Sequence, residues 1–255
     1  MDPTHALRED PALPPSWYAA SVRPRAPLPA LDGDVHVDVA ILRAGYTGLS
    51  AALELARRGL RVVVLEACRI GWGASGRNGG QALVGYGCEV DGVEKLVGVE
   101  DARTLFGYSR PGVQLLRDRI AQHRIDCHWV SGHANVPITT RQSQALQRDV
   151  ERLTTQYDYP MQWWDRATLR AQLDSPRYQG AMFDPLSGHL HPLPYAQGLA
   201  DAAIAAGAVI HEHTPVLELQ RTPRPALRTA TGTVHAAHVL LAGNAWVEGV
   251  APELV

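Results

Sequence analysis

Residues 38–66 carry the pattern that most restricts what this chain can fold into. Val39-Ala40-Ile41-Leu42 is an apolar run with the length of a buried strand, and Arg43-Ala44-Gly45-Tyr46-Thr47-Gly48 then turns the chain. The stretch that follows places Leu49, Ala52, Leu53 and Ala56 on one helical stripe. Arg57 and Arg58 suit the negative end of that helix, and Gly59 is a good C-terminal cap. A second apolar run, Arg61-Val62-Val63-Val64-Leu65, ends on Glu66. Strand, glycine turn, helix, strand and acid in this order predict a parallel βαβ unit of the Rossmann type. Arg43 stands where the G-x-G-x-x-G pattern has its first glycine.

The residue types suit a dinucleotide. A pyrophosphate is a dianion, and a helix N-terminus offers it unpaired N–H groups and positive partial charge. Gly45 lets phosphates approach the backbone, and Gly48 lets helix and strand pack closely. Glu66 is placed to accept hydrogen bonds from ribose hydroxyls and would repel a 2′-phosphate, which argues against NADP. A tight strand-to-helix turn with no ligand is the competing reading of 44–48. The flanking strand, helix and acid favour the nucleotide.

A second glycine run, Gly71-Trp72-Gly73-Ala74-Ser75-Gly76-Arg77-Asn78-Gly79-Gly80-Gln81, follows directly. Small residues permit the close backbone contact that an extended flavin nucleotide needs. Ser75 and Asn78 supply hydrogen bonds, and Arg77 offsets phosphate charge. A flexible surface loop is the alternative.

Seven prolines in residues 1–33 exclude a long helix and predict an extended arm, with Ser16-Trp17-Tyr18 able to dock on a domain surface; a loose tail is the other reading. Residues 93–125 read as helical with a break or restart at Pro111-Gly112, 140–156 as a polar surface helix, 165–173 as a short helix, and 195–207 as an Ala-rich helix. Strands are expected at 208–211, 216–219, 226–229 and 238–243. His211-Glu212-His213 lacks further metal ligands and reads as an exposed strand, and Cys127-His128 with His133 fits no closed tetrahedral set. No metal site is expected. Trp163-Trp164 suits core packing or a substrate wedge, and Tyr195 either packs at a helix start or faces substrate.

A net charge of −2 gives no reason to expect nucleic acid or an anionic membrane as partner. No apolar run is long enough to span a bilayer, and the first residues lack a secretory pattern. Three widely spaced cysteines fit a reducing cytoplasm.

With these motifs the chain resembles the D-amino-acid-oxidase-type family of FAD-dependent oxidoreductases, and within it the group that oxidises gamma-glutamylputrescine-type amines. The resemblance is carried by Ser16-Trp17-Tyr18, Asp38 to Ile41, Ala44 to Ser50, Gly73 to Gly80, Ile125-Asp126-Cys127, Phe183-Asp184-Pro185, Gly188 to Leu193 and Val239 to Ala245. It implies an α/β fold: a Rossmann-like FAD-binding domain with an α+β substrate domain, incomplete at the C-terminus. The implied organisation is an arm at 1–33, the FAD-binding βαβ and flavin loop at 34–90, a helical and substrate-domain segment at 91–190, and a return to the FAD-binding domain at 191–255.

The resemblance implies that Gly45, Tyr46, Thr47 and Gly48 face the FAD pyrophosphate and that Glu66 holds the adenosine ribose. Ser75, Arg77, Asn78, Gly79 and Gly80 would line the path to the flavin. Val216 would meet the adenine through its backbone, and Ala242 and Gly243 would close over the cofactor. The implied reaction is hydride transfer from an amine to flavin with O2 as acceptor, on a small-molecule amine. It does not identify the catalytic side chains. Arg43 departs from the family pattern, and its side chain is expected to clash with the turn or the ligand, or to pair with phosphate. Two further hypotheses are a non-catalytic remnant of such an oxidase and an NAD-linked dehydrogenase; the 73–80 loop counts against the latter.

Overall fold

The computed structural model describes residues 12–254. In chain order the elements are α1 (Trp17–Ser21), β1 (Val35–Leu42), α2 (Tyr46–Arg57), β2 (Val62–Leu65), β3 (Gln81–Ala82), α3 (Val90–Val97) and α4 (Val99–His123). Then come β4 (Val130–Asn135), α5 (Thr140–Gln156), β5 (Gln162–Asp165), α6 (Arg166–Gln172), β6 (Gly180–His189) and α7 (Pro192–Ala205). The last strands are β7 (Val209–His211), β8 (Glu218–Gln220), β9 (Ala226–Arg228) and β10 (Thr233–Leu241). No helix among the described residues is long and apolar enough to cross a membrane.

The fold is α/β and divides into two compact units, each assembled from separate stretches of chain. Of the described residues, the first takes in 12–79, 120–127 and 191–254, the second 80–119 and 128–190.

The first unit is built on a six-stranded sheet of order β7-β2-β1-β10-β9-β8. β7, β2, β1 and β10 are parallel neighbours, while β9 and β8 continue antiparallel. The two βαβ strands are buried where they pair, Leu42 opposite Leu65, because helices cover parallel strands. The predicted stripe is the buried face of α2: Leu49, Ala52, Leu53 and Ala56. Leu31, Ala40, Leu42, Val63, Leu65, Leu227 and Val234 form the core on the sheet. The Ala-rich helix starts earlier than its composition indicates, because Pro192 begins it with a fixed φ and no N–H to lose.

The arm docks by its backbone and by Tyr18. Tyr18 donates its hydroxyl to the Asn78 carbonyl at 2.6 Å, while Trp17 stays 79% exposed. Residues 1–11 of the expected arm lie outside the described residues. The expectation of an exposed strand at 211–213 is corrected: Glu212 is wholly buried and carries three hydrogen bonds. Its carboxylate accepts from Leu28 N, Ile70 N and Arg69 Nε, so partners, not exposure, make the charge tolerable.

The second unit holds a smaller sheet in which β6 pairs antiparallel with β3, β4 and β5. Phe106, Leu153, Tyr157 and Tyr159 form its core. The expected helix break lies at Gly98, which has a φ of 85° between α3 and α4, and not at Pro111. α4 runs through Pro111 because buried side chains anchor it on both sides, Ala102 and Phe106 before the proline and Val113 after it. Trp164 stacks on Phe183 at 3.9 Å, with both rings half-buried on the sheet and outside that core.

Candidate functional site

The turn after β1 forms with arginine in place of glycine. Arg43 adopts a φ of 80°, a left-handed conformation that costs a residue with a Cβ on the order of 1 kcal/mol. Its N–H extends the sheet by donating to Leu65 O at 2.8 Å. Its carbonyl lies 2.1 Å from where a Cβ on Gly48 would stand, which is why only glycine fits at Gly48. The expected clash with the turn is therefore corrected: the turn tolerates Arg43, and the side chain leaves it along the C-terminal ends of the strands.

That side chain runs to Glu66. Arg43 Nη1 stands 3.2 Å from Glu66 Oε1, with the two side chains 12% and 6% exposed. The same carboxylate accepts from two backbone groups, Ala44 N at 2.8 Å on Oε2 and Cys68 N at 3.0 Å on Oε1. Glu66 thus sits where a strand-end acid was expected, tied to the turn it faces.

An open cleft of about 500 Å3 at this end of the sheet is lined by Arg43, Ala44, Gly45, Glu66, Gly73, Ala74, Ser75, Ala242 and Gly243, with Trp72, Asn244 and Trp246 beside them. Five of the residues expected from the sequence, Gly45, Glu66, Ser75, Ala242 and Gly243, meet in this one cleft. Ser75 reaches the start of α2 and accepts the Tyr46 N–H at 3.0 Å, acting as a cap supplied from another loop. Gly45 is held to glycine by the same contact, since a Cβ there would come within 2.9 Å of Ser75 Oγ.

The remaining expected residues stand outside that lining. Thr47 is exposed on the first turn of α2, and Gly48 is buried against the Arg43 carbonyl. The Tyr46 ring packs edge-on against Tyr195 at 5.3 Å, and its hydroxyl donates to Pro192 O at 3.0 Å. Burial pushes the Tyr46 phenol up to about 12. Arg77 lies over the Trp72 ring at 4.6 Å. Asn78 donates to the Ala74 and Ser75 carbonyls, which shapes the glycine loop, and Gly79 is exposed. Gly80 opens the second unit, with a φ of 71° and its backbone against Leu190. The Val216 side chain belongs to the sheet core.

Sequence reasoning did not single out Trp72 and Trp246 as cleft residues. They contact each other edge to face at 5.9 Å beside the cleft. They are separated by most of the chain, so no local pattern pairs them.

A βαβ unit whose acid and helix N-terminus converge on a cleft walled by glycine and alanine has the layout of a dinucleotide-binding domain. The chain belongs to the DAO family, FAD dependent oxidoreductase, which matches residues 38–255; the family's cofactor is FAD. Among curated relatives it is similar to gamma-glutamylputrescine oxidoreductase of Escherichia coli K12, with 40% identity over 94% of this chain and 56% of that protein. It is also similar to the probable oxidoreductase OrdL of Haemophilus influenzae, with 38% identity over 91% of this chain and 54% of that protein. Among solved structures it resembles glycine oxidase from Geobacillus kaustophilus, with a TM-score of 0.69 and 25% identity over 86% of this chain and 58% of that one. The chain therefore spans little more than half the length of these relatives.

The residues present fit FAD in their framework. The α2 N-terminus faces the cleft, the space beyond Gly73 is clear for 4 Å, and Glu66 supplies a carboxylate at the strand end. Arg43 is the exception, because it already occupies part of that carboxylate.

Proposed function

We propose that this chain carries the nucleotide-holding part of an FAD-dependent amine oxidase acting on a gamma-glutamylputrescine-type substrate, in putrescine breakdown in the cytoplasm. The observation that carries the reading is the convergence of Glu66, the start of α2 and the Gly73–Ser75 loop on one cleft. The E. coli relative supports the amine class.

In this reading Gly45, Tyr46, Thr47 and Gly48 present the helix N-terminus to the pyrophosphate, and Glu66 orients the adenosine ribose. Ser75, Arg77, Asn78, Gly79 and Gly80 line the path toward the ring system. Val216 backs the adenine, and Ala242 and Gly243 close the near wall. FAD, when bound, would supply a hydride acceptor for the amine C–H, with O2 as the final electron acceptor. The protein's contribution in this reading is to position the cofactor.

The test is a titration of the purified chain with FAD, followed by flavin fluorescence, and then an assay for hydrogen peroxide with gamma-glutamylputrescine and with glycine. Saturable FAD binding and peroxide from the polyamine conjugate are expected. Failure to bind FAD at any concentration removes the reading, and peroxide from glycine alone removes the substrate class.

A further inference from the structure

We infer that Arg43 is an internal competitor for the ribose-binding carboxylate, so that the affinity of this chain for an adenine dinucleotide is set by how readily its guanidinium leaves Glu66. The inference rests on the FAD reading above and adds to it the residue that limits loading.

The argument is one of lone pairs. An ionised carboxylate has about four acceptor positions. In Glu66 three are taken, by Ala44 N, Cys68 N and Arg43 Nη1. The two backbone donors belong to the turn and to the segment after β2, so they stay wherever the fold stays. A vicinal diol that donates from both hydroxyls needs two positions, and only one remains while Arg43 is in place. The guanidinium is therefore the group that must go.

Steric placement agrees. A Cβ built on Gly243 would stand 3.4 Å from Arg43 Cγ, so the Arg43 stem crosses the cleft between Glu66 and the end of β10. The paired side chains are nearly buried, which strengthens their attraction relative to an exposed pair and raises the cost of parting them. Glycine at this position would leave the carboxylate with its two backbone donors and the cleft open.

The experiment compares FAD affinity, read by quenching of flavin fluorescence, in the parent chain and in Arg43→Gly and Arg43→Ala, with far-ultraviolet circular dichroism confirming that each is folded. Arg43→Ala keeps a Cβ in the left-handed turn and removes the guanidinium together with its stem, which separates the competing side chain from the strained backbone. Both variants are expected to bind FAD at least tenfold more tightly than the parent. Equal or weaker binding in both variants overturns the inference and leaves the FAD reading intact. Tightening in Arg43→Gly alone also overturns it, since backbone strain would then be the obstacle. Absence of binding in all three folded chains overturns both the inference and the reading beneath it.

Discussion

The fully buried Glu212 carboxylate accepts the Nε–H of Arg69 at 3.1 Å, and through Ile70 N and Leu28 N it joins the loop after β2 to the arm before β1. A charge without solvent persists only when its acceptor positions are filled. Glu212→Ala removes the shared acceptor from two backbone N–H groups and one guanidinium. A loss of about 3–5 kcal/mol is expected, and urea denaturation measures it. Arg69→Ala leaves both backbone donors in place and should cost less; an equal loss would place the energy in the ion pair and not in the backbone ties.

Gly48, in the first turn of α2, and Gly59, just past its end, make a matched comparison. A Cβ on Gly48 would stand 2.1 Å from the Arg43 carbonyl, whereas Gly59, at a φ of 83°, has nothing within 4 Å. Gly59→Ala should cost about 1 kcal/mol from backbone strain alone. Gly48→Ala has to separate helix from strand and should cost about 3 kcal/mol or more. Thermal unfolding of the two variants tests the order.

Ser75 and Gly45 should be coupled. Ser75→Ala loses the cap on Tyr46 N–H, worth about 1 kcal/mol. Gly45→Ala drives a methyl to within 2.9 Å of Ser75 Oγ. In a double-mutant cycle by urea denaturation, Gly45→Ala should be less harmful in the Ser75→Ala background than in the parent. Simple additivity would mean that the hydroxyl moves aside freely.

Arg152 holds the Glu94 carboxyl below the usual carboxylate range, chiefly by a side-chain hydrogen bond, and does the same for Asp91. Their folded values are depressed, so the stabilisation is present above the unfolded values near pH 4 and is lost as pH falls through the folded values. Arg152→Met should therefore lower the thermal midpoint at neutral pH, with the gap to the parent closing in acid. A gap that is constant with pH would mean the loss is one of packing. The Tyr157 hydroxyl also bonds Glu94, so the same substitution should loosen the Phe106–Tyr159 cluster.

The second sheet shows where local pattern stops being informative. β6 contains Gly180, Asp184, Pro185 and Gly188, residues that strands disfavour, and nothing in its periodicity marks it. It is nonetheless the strand on which the others pair. Its ladder with β4 shifts register between Ser131 and His133, where Pro185, Leu186 and Ser187 bulge out. The bulge suits the proline, which has no N–H to donate. Asp184 satisfies the backbone there by accepting from Leu186 N at 3.0 Å and Ser187 N at 3.2 Å. The Ser187 and Tyr159 hydroxyls also donate to Asp184, Tyr159 at 2.7 Å, and burial raises the Tyr159 phenol far above the usual range.

The sequence by itself determined the βαβ unit, because period and turn chemistry are local: an apolar strand, a glycine turn, an amphipathic stripe and an acid at the next strand end are each written within a few residues. It also singled out Gly45, Glu66 and Ser75, which the structure brings to one cleft. Only the tertiary structure decided which groups face one another. It buried Glu212 by bringing Leu28, Arg69 and Ile70 to it. It brought Trp246 to Trp72 and carried α4 through Pro111. It also turned Arg43 away from the helix N-terminus and onto Glu66. An arginine in a glycine position announces itself in the sequence, but the carboxylate it pairs with is a matter of reach across neighbouring strand ends, which no local pattern encodes.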